Sequence, residues 1–360
     1  MNNRPAIIKI NGHYYNEDKL DVLIADKLSS PNLTDWEAEL FTFLQAWFSR
    51  SKTISAQTSG STGEPASIEL PKTVMVKSAE RTIEYFGLKK GNRLLLSLPC
   101  RYIAGKMMVV RAIVGKMELI TVDPSSEFEI LLYDSFDFGA MVPNQVFKLL
   151  EFPSGTEKLE NIYNLLIGGS AIPAAMESHI SLLRSRVVST YGMTETASHI
   201  AIRELSGEKR SADYHCLPGI SVTLNENDCL QIHVPERPEP LQTNDMAKVL
   251  SPTRFRILGR ADDVIISGGI KYWPESIEKK LETWISTRFI ISAIPDEKLG
   301  EKLVLVIEDT PSDIEWIQQK AAQILSPFER PRLVCFLEKF PQTPNGKLRR
   351  NEIKWRIQGQ

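Results

Sequence analysis

Thr58-Ser59-Gly60-Ser61-Thr62-Gly63-Glu64-Pro65 is the stretch that says most about the fold of this chain. Two glycines, four hydroxyl side chains and a closing proline stand within eight residues. Such a segment has little side-chain bulk, so its backbone N–H groups and hydroxyls can approach a polyanion closely. It is not a Walker A loop, because no Gly-Lys-Ser/Thr sequence ends it. The stretch predicts a phosphate-binding loop, although a polar surface linker would have the same composition.

The composition is that of a soluble globular protein. The 360 residues are 42% hydrophobic and 24% charged, with a net charge of −2, and this length predicts two or three domains. The charge gives no reason to expect nucleic acid as a partner. The four cysteines form no Cys-x-x-Cys pair, which argues against a zinc site and a disulfide framework. The polar N-terminus lacks the apolar core of a signal peptide, and no apolar run is long enough to span a membrane. We therefore expect a cytoplasmic enzyme.

The hydrophobic pattern predicts an α/β fold in the first half of the chain. Residues 1–50 predict a short adaptor, with a hairpin turning at Asn11-Gly12 and a helix over 36–48. Buried runs at 94–98, 118–122 and 165–167 alternate with a helix over 103–114. Glycine or proline turns follow these runs, a pattern that predicts parallel βα units. We expect ligands at the carboxyl ends of such strands.

The second half of the chain has a different texture. Short strands at 230–234, 247–250 and 255–258 predict a β subdomain. We therefore predict a large domain over residues 1–259, made of βα sheet layers plus the β subdomain. A small α+β domain over residues 260–360 would follow it. In the small domain the pattern predicts a helix starting at 277, a strand over 303–307, a helix over 314–325 and a strand over 332–337.

Three further polar clusters could carry chemistry. Tyr191-Gly192-Met193-Thr194-Glu195-Thr196 offers an aromatic face for a base, a hydroxyl for a phosphate and a carboxylate for a hard cation such as Mg²⁺. The same residues could instead begin a capped helix. Asp245 and Arg260 could hold the vicinal hydroxyls of a ribose, or could form a surface ion pair between neighbouring turns. Lys347 stands in a Pro-Asn-Gly turn and, without context, would be an ordinary solvated lysine.

The ordered set of motifs resembles the adenylate-forming superfamily of acyl-CoA synthetases, luciferases and adenylation domains. The motifs that carry the resemblance extend over about residues 55–350: Thr58–Pro65, Gly168-Gly169-Ser170-Ala171, Tyr191–Glu195, Thr243-Asn244-Asp245, Gly259–Asp263 and Pro344–Lys347. Within that superfamily the chain is most similar to the o-succinylbenzoate–CoA ligases of menaquinone biosynthesis. The signs are Ser97-Leu98-Pro99, Ala104-Gly105 and the helix segment Met107–Arg111.

The resemblance implies a substrate role for Arg111. The matching arginine of these ligases engages the aryl-acid substrate. An arginine on an otherwise apolar stretch needs an anionic partner. A substrate with a second carboxylate would supply one through a bidentate contact. A structural aspartate or glutamate would be the other possible partner.

The resemblance also implies the reaction and the residues that serve it. A carboxylate attacks the α-phosphorus of ATP, pyrophosphate leaves, and coenzyme A then displaces AMP from the acyl-adenylate, with Mg²⁺ as the metal ion. The implied phosphate loop is Thr58, Ser59, Gly60, Ser61, Thr62 and Gly63, and the implied catalytic residues are Lys347, Thr194 and Glu195, the last also binding Mg²⁺. The implied adenine and ribose residues are Gly169, Ser170, Ala171, Tyr191, Gly192, Asp245 and Arg260. The implied acyl-substrate residues are Tyr102, Arg111, Gly168 and Met193, the implied hinge is Asp262, and the implied coenzyme A residues are Ser267, Gly268, Gly269 and Lys271.

The chain departs from the superfamily pattern at several points. Ala66 stands where the phosphate loop usually has lysine, and Asn244 stands where the ribose motif usually has glycine. Roughly a hundred N-terminal residues of the usual fold are missing, so the adaptor or a partner subunit, such as a second copy, would have to cover the exposed sheet. Another aryl- or acyl-CoA ligase, or a nucleotide-binding homologue without catalytic activity, would share most of the same motifs.

Overall fold

A computed structural model describes residues 7–57, 67–342 and 348–358, and within it the chain divides into two compact units. Unit 1 comprises Met1–Ala171, Ile180–Ile220 and Val234–Pro238, and unit 2 comprises Ile172–His179, Ser221–His233 and Glu239–Gln360. The sequence predicts a domain boundary between residues 259 and 260, with a mobile domain after it. That boundary stays a prediction.

Unit 1 is built on one long sheet. Its strands are β1 (Ile8–Ile10), β2 (His13–Tyr15), β3 (Thr53–Gln57), β4 (Ser67–Pro71), β5 (Arg93–Leu96), β6 (Glu118–Thr121), β7 (Phe138–Met141), β8 (Asn164–Ile167), β9 (Arg186–Gly192), β10 (His199–Glu204) and β11 (Tyr214–Cys216). Its helices are α1 (Glu17–Leu28), α2 (Asp35–Phe48), α3 (Lys72–Phe86), α4 (Ile103–Gly115), α5 (Pro143–Leu150) and α6 (Gly155–Glu160). The strand order in this unit is β11-β10-β9-β8-β7-β5-β6-β1-β2, while β3 and β4 form a separate hairpin.

The centre of the unit 1 sheet is parallel, as the sequence predicts. Strands β6, β5, β7, β8 and β9 all run in the same direction, with registers such as Leu94↔Leu119 and Leu166↔Val188. Their apolar residues are buried on both faces, which is what a parallel sheet covered by helices requires. Parallel strands place their carboxyl ends at one edge, so the loops after β8 and β9 are neighbours.

The predicted N-terminal hairpin is present and extends the sheet. Strands β1 and β2 pair antiparallel, and β1 pairs parallel with β6 through Lys9↔Glu118 and Ile10↔Leu119. The turn between them is fixed to the sheet, since Gly12 N donates to Glu118 Oε1 at 2.9 Å and Asn11 Nδ2 donates to Thr121 Oγ1 at 2.9 Å. The adaptor therefore covers the β6 edge from within the same chain.

Helix α4 is held tightly against the loop that follows β5. It is apolar on nearly all sides, with Met107, Met108, Val109 and Val110 all fully buried. Near its start, Gly105 packs against the carbonyl groups of Leu98 and Pro99, and a Cβ added there would lie 2.7 Å from Leu98 O. Real Cβ atoms do not come so close to backbone oxygen. Gly105 therefore sets the distance between the helix and the strand end.

Unit 2 contains two antiparallel-rich sheets. Its strands are β12 (Ser221–Leu224), β13 (Cys229–His233), β14 (Leu241–Ser251), β15 (Arg254–Arg260), β16 (Ile265–Ser267), β17 (Ile270–Tyr272), β18 (Phe289–Asp296), β19 (Gly300–Glu308) and β20 (Leu333–Leu337). Its helices are α7 (Ala174–Ile180), α8 (Pro274–Leu281), α9 (Ile314–Ile324) and α10 (Arg350–Gln358). The last residue of α7, Ile180, is assigned to unit 1. Strands β12 to β15 pair in chain order, and β17-β16-β19-β18 form a second sheet to which β20 adds in parallel.

Two predicted boundaries in the chain need correction. The predicted strand over 94–98 is β5, which ends at Leu96 because Ser97 donates its hydroxyl to Ala140 O and Pro99 follows. The helix predicted to start at 277 begins at Pro274, because proline has the fixed φ and missing donor that suit the first turn. No helix among the described residues is long and apolar enough to cross a membrane.

Two substitutions in α4 test the contact at Gly105. Gly105→Ala should lower the free energy of unfolding by about 1–3 kcal/mol, because overpacking outweighs the better helix propensity of alanine. Gly115→Ala is the matched control, since a Cβ there would meet Cε of Met117, the end of a flexible side chain. Urea unfolding of both variants measures the difference. Equal stability of the two variants would contradict the proposed close contact.

Candidate active site

The loops after β8 and β9 contact each other at the carboxyl ends of the strands. Gly168 follows β8 and lies against the hydroxyl of Thr190 in β9, so closely that no side chain would fit at residue 168. Gly169 has a φ of +95°, a conformation that glycine adopts without strain. Ser170 is half-buried and Ala171 is exposed. The predicted motif Gly168–Ala171 therefore lies beside the start of the Tyr191–Thr196 loop.

The chain folds back on itself after β9. Gly192 pairs with His199 across β9 and β10, and a Cβ at residue 192 would lie 2.5 Å from His199 Cα. The turn between them is stabilised by Thr196, whose hydroxyl accepts from Met193 N at 3.0 Å and lies 2.6 Å from Ser198 O. Ala197 closes the turn in the left-handed region. Glycine is therefore required at residue 192 for this turn to form.

Thr194 and Glu195 lie at the tip of this turn. Thr194–Thr196 forms a single 3₁₀ turn and no α-helix begins there, so these residues do not cap a helix start. Thr194 is 8% exposed and Glu195 is half-buried. Within the described ranges, neither the Thr194 hydroxyl nor the Glu195 carboxylate has a hydrogen-bond partner. The Thr194 hydroxyl and the Glu195 carboxylate are therefore available to bind a phosphate or a metal ion.

Tyr191 lies next to a second aromatic ring. Its ring centroid is 5.8 Å from that of Tyr214, and the two planes are tilted by 57°. The hydroxyl oxygens of Tyr214 and Ser189 are 3.0 Å apart, which fixes Tyr214 against β9. Tyr191, Gly192 and Met193 are half-buried or exposed. The three residues are therefore accessible to a planar group such as a base.

Arg111 is a buried cation without a carboxylate partner among the described residues. It lies near the end of α4, is 2% exposed, and donates through Nη2 to Ser198 Oγ at 2.6 Å. Among the residues that the structure describes, Nη1 contacts the thioether sulfur of Met108 at 3.6 Å and Nε has no hydrogen-bond partner. The guanidinium carbon lies 5.9 Å from the centroid of the Phe138 ring. Burial lowers the pKa of Arg111 to about 9. Among the described residues, Arg111 therefore has no structural aspartate or glutamate as its partner, which was the alternative to a substrate carboxylate.

Tyr102 lies beside the segment that precedes the predicted phosphate loop. It forms a parallel bridge with Gln57, the last residue of β3. Strands β3 and β4 pair from Thr53↔Pro71 to Gln57↔Ser67, so the loop is carried between two hydrogen-bonded strands. The predicted residues Thr58, Ser59, Gly60, Ser61, Thr62 and Gly63 lie outside the described residues, as do Ala66 and Lys347.

In unit 2 the structure brings Asp245, Arg260 and Asp262 together. Asp245 and Arg260 are opposite each other in β14 and β15, and Arg260 Nη1 donates to Asp245 Oδ1 at 3.1 Å. Nη2 of the same guanidinium donates to Asp262 Oδ2 at 2.9 Å. Asn244 also donates to Asp262 Oδ2, at 3.1 Å. The ion pair between neighbouring segments is therefore present, and the proposed hinge Asp262 is attached to both strands.

The predicted coenzyme A segment is a hairpin. Strands β16 and β17 pair through Ser267↔Ile270, and the two-residue turn Gly268-Gly269 has positive φ at both residues. Gly268 N donates to Leu299 O at 2.9 Å, which holds the turn against the rest of its sheet. Ser267 is half-buried and Lys271 is exposed. The hairpin therefore presents a rigid backbone turn flanked by a hydroxyl and a cation.

Sequence reasoning missed a group of buried and half-buried polar residues around these sites. In unit 1 they are Thr82, Ser198 and His199, which contact Arg111 directly or through one another. In unit 2 the half-buried Glu275, whose Oε2 atom is buried, was missed. The sequence shows that these residues are polar, but a polar residue in an apolar run does not indicate which residue it contacts in the fold.

Glu275 carries an unpaired buried oxygen in unit 2. Its Oε2 has no hydrogen-bond partner in the described part of the chain and packs against Gly259, where an added Cβ would be 2.5 Å away. Burial raises the pKa of Glu275 to about 7, and the nearby carboxylates of Glu278 and Asp263 add to this while Arg350 opposes it. The Arg350 charge is already engaged, because its Nη2 donates to Glu278 Oε2 at 2.6 Å.

Glu275→Gln should change the pH dependence of stability. The folded pKa of about 7 lies above the ordinary 4.5, so the folded state binds more protons between these values, and stability is lost as pH rises through the window. The wild type should lose about 1 kcal/mol of unfolding free energy per pH unit there, and Glu275→Gln should not show this loss. Urea unfolding across the window measures it, with Glu315→Gln on the exposed start of α9 as control. A variant that follows the wild-type pH profile would contradict the expectation.

Comparisons with known proteins agree with the geometry. A family model described as "AMP-binding enzyme" matches residues 56–230. A 2-succinylbenzoate–CoA ligase from Lactococcus lactis is 22% identical over 97% of this chain and 84% of its own length. The o-succinylbenzoate CoA synthetase MenE from Bacillus subtilis, solved with the acyl-adenylate intermediate OSB-AMP, is 21% identical with a TM-score of 0.71, covering 83% of this chain and 68% of its own. The predicted α/β fold is thereby confirmed.

A further solved relative decides the family. It is the acyl-CoA synthetase (AMP-forming)/AMP-acid ligase II-like protein from Dyadobacter fermentans, 32% identical with a TM-score of 0.61. The match covers 93% of this chain and 98% of that one. From this identity over nearly the whole of both chains, together with the AMP-binding match, the chain belongs to the AMP-binding enzyme family and is an AMP-forming acyl-CoA ligase.

Proposed function

We propose that the chain is an o-succinylbenzoate–CoA ligase, which adenylates o-succinylbenzoate with ATP and transfers the acyl group to coenzyme A for menaquinone biosynthesis. The single observation that carries the substrate assignment is the buried guanidinium of Arg111, which has no carboxylate partner among the described residues. The names of the relatives support it, since those from Lactococcus lactis and from Listeria monocytogenes are 2-succinylbenzoate–CoA ligases.

The electrostatics of Arg111 favour a diacid substrate. A buried cation with an unpaired N–H group is costly unless a ligand completes its contacts. The guanidinium of Arg111 retains Nε–H and most of its Nη–H groups for such a ligand. A carboxylate fits this fork with two parallel hydrogen bonds. One carboxylate of o-succinylbenzoate would react with ATP while the other pairs with Arg111, and Tyr102, Gly168 and Met193 would line the acyl site.

Thr194 and Glu195 are proposed for the α-phosphate and the metal ion. The Thr194 hydroxyl and the Glu195 carboxylate, unpaired within the described residues, are hard oxygen ligands, the type that Mg²⁺ takes. No group of three or more His, Cys, Asp or Glu able to hold a metal occurs within the described ranges. This fits an ion that arrives with the phosphates of ATP and takes one protein carboxylate. When bound, Mg²⁺ would neutralise charge on the phosphate oxygens.

The proposed nucleoside contacts involve an aromatic ring and an ion pair. Tyr191 would stack on adenine beside the backbone of Gly169, Ser170, Ala171 and Gly192. Asp245 can accept hydrogen bonds from vicinal hydroxyls, and Arg260 holds its carboxylate in place at 3.1 Å. The ion pair thus serves the ribose role and does not compete with it, because a carboxylate has four lone-pair sites.

Residues outside the described ranges and in the small domain complete the proposal. Thr58, Ser59, Gly60, Ser61, Thr62 and Gly63 would donate to the β- and γ-phosphates. Lys347 would bridge the acyl carboxylate and the α-phosphate. Asp262 would be the hinge between residues 1–259 and 260–360. Ser267, Gly268, Gly269 and Lys271 would face coenzyme A in the second half-reaction.

The chemistry follows from where charge develops. In the first half-reaction a carboxylate approaches the polyanionic ATP, so Lys347, Thr194 and the phosphate loop must stabilise negative charge at the α-phosphorus. In the second, the thiolate of coenzyme A attacks the acyl carbonyl and AMP leaves with the bonding electrons. Removal of Lys347 by domain rotation would then clear space for the thiol. Another acyl- or aryl-CoA ligase, or a homologue without catalytic activity, remains the competing candidate.

Arg111→Met should separate diacids from monoacids. The variant should lose about 10²-fold in kcat/KM for o-succinylbenzoate, because a charge-assisted pair of hydrogen bonds is worth about 3 kcal/mol. It should change little for monoacid analogues that keep the carboxylate that reacts with ATP and lack the other. Coenzyme A-dependent AMP release measures both, and a thermal melt confirms folding. If the wild type uses the monoacids as well as the diacid, the substrate assignment fails while the family stands.

Lys347→Ala should affect only the first half-reaction. We expect a loss of about 10²–10³-fold in ATP–pyrophosphate exchange, because one stabilising charge at the α-phosphate is removed. Thioester formation from supplied acyl-adenylate and coenzyme A should persist. Lys339→Ala, an exposed lysine of the same unit, is the control. A wild type that supports no exchange would instead favour the homologue without catalytic activity.

A further inference from the structure

Four hydrogen-bonding groups connect Arg111 to the interior of α3 within unit 1. Arg111 Nη2 lies 2.6 Å from Ser198 Oγ, and Ser198 Oγ lies 3.2 Å from His199 Nδ1. His199 Nε2 lies 3.4 Å from Thr82 Oγ1, which in turn lies 3.1 Å from the carbonyl oxygen of Ser78, one turn earlier in α3. Thr82 is fully buried and His199 is 8% exposed. We name the three side chains Thr82, His199 and Ser198 the relay.

The chemistry of the groups sets the direction of the relay. A guanidinium can only donate, so Ser198 Oγ accepts from Arg111 and its own proton can point to His199 Nδ1. Burial and the charge of Arg111 hold the pKa of His199 well below its ordinary value, so the ring is neutral. A neutral ring that accepts at Nδ1 carries its proton on Nε2.

The same direction satisfies the far end of the relay. The Nε2–H group of His199 donates to Thr82 Oγ1, and the Thr82 hydroxyl donates to Ser78 O, as threonine does within a helix. Every hydrogen-bonding proton of the relay then has an acceptor. The opposite tautomer would turn the Ser198 proton away from the relay and would take the Thr82 proton from Ser78.

We propose that His199, with its proton on Nε2, and Thr82 are positioning residues that fix the guanidinium plane of Arg111 through Ser198 and so select substrates with a second carboxylate. This inference rests on the proposed function. The relay engages one N–H group of Nη2, which leaves the second Nη2–H to form a fork with Nε–H or with Nη1–H for a carboxylate. A guanidinium held by one short contact has lost the rotation that would otherwise oppose bidentate binding.

Thr82→Val tests the relay with the least change of shape. It removes the acceptor for Nε2–H, and we expect kcat/KM for the diacid to fall about 10-fold, mainly through KM, because the remaining contacts leave Arg111 less ordered. The monoacid analogues and the KM for ATP should not change. Thr82→Ser keeps the hydroxyl and should restore most of the diacid preference.

Ser206, a buried serine that follows β10 and bonds to the start of β9, provides the matched control. Ser206 accepts from Val187 N at 2.8 Å, near the start of β9, so Ser206→Ala also removes a buried hydroxyl of unit 1. It should lower stability without changing the ratio of diacid to monoacid kcat/KM. If Thr82→Val lowers activity towards diacid and monoacid equally, as a merely structural change would, the proposal is overturned and the proposed function stands.

The tautomer of His199 gives a readout that does not depend on the substrate. Long-range proton–nitrogen NMR of the five histidines should show one ring, assigned by His199→Asn, with its proton on Nε2 at neutral pH. Thr82→Val should shift that ring towards a mixture of tautomers. A wild-type His199 with its proton on Nδ1 would contradict the proposed relay even if the enzyme prefers diacids. So would a His199 tautomer that Thr82→Val leaves unchanged. A wild type with the expected tautomer but no diacid preference would instead disprove the proposed function and, with it, the selection of diacids.

Discussion

The backbone contact between Gly192 and the Ser198–His199 segment is the constraint on which the unit 1 site depends. It forces β9 to reverse within a few residues and return as β10. The outer side of the reversal carries Thr194 and Glu195, while the returning side carries Ser198, which meets Arg111. One turn thus places the oxygen-rich tip, proposed for phosphate and metal, at a fixed distance from Arg111, which is proposed to bind the second carboxylate of the substrate. A side chain at residue 192 would disturb both at once.

The buried charge of Arg111 also explains why its helix is so apolar. A cation in an interior is tolerated when its hydrogen bonds are supplied, and a ligand that completes them gains more than it would in water. The fully buried methionines and valines before Arg111 in α4 exclude water from that region. The same packing that makes the unliganded cation costly would make a matching carboxylate bind tightly and specifically.

The sequence was sufficient for the elements but not for the contacts between them. Continuous apolar runs predicted β5, β6 and β8, because strands buried on both faces have no polar side to interrupt them. The hairpin at Asn11-Gly12 followed from turn chemistry. The link from Thr82 through His199 to Arg111 could not be predicted, because it joins α3, α4 and β10 across more than a hundred positions. The attachment of Asn244 to Asp262 was equally hidden, since the motif suggested only a departure at a glycine position.

The N-terminal hairpin has a consequence for the order of events during synthesis. Strand β1 has no partner on its open side until β6 has been made, and the bond from Asn11 to Thr121 spans 110 positions of the chain. A ribosome adds roughly 5–20 residues per second, so about 5–20 s separate the emergence of the two strands. During that interval the apolar side chains of Ile8 and Ile10, buried in the finished sheet, have no sheet to enter. The β1–β2 hairpin is therefore made first but cannot dock on the sheet before β6 has emerged.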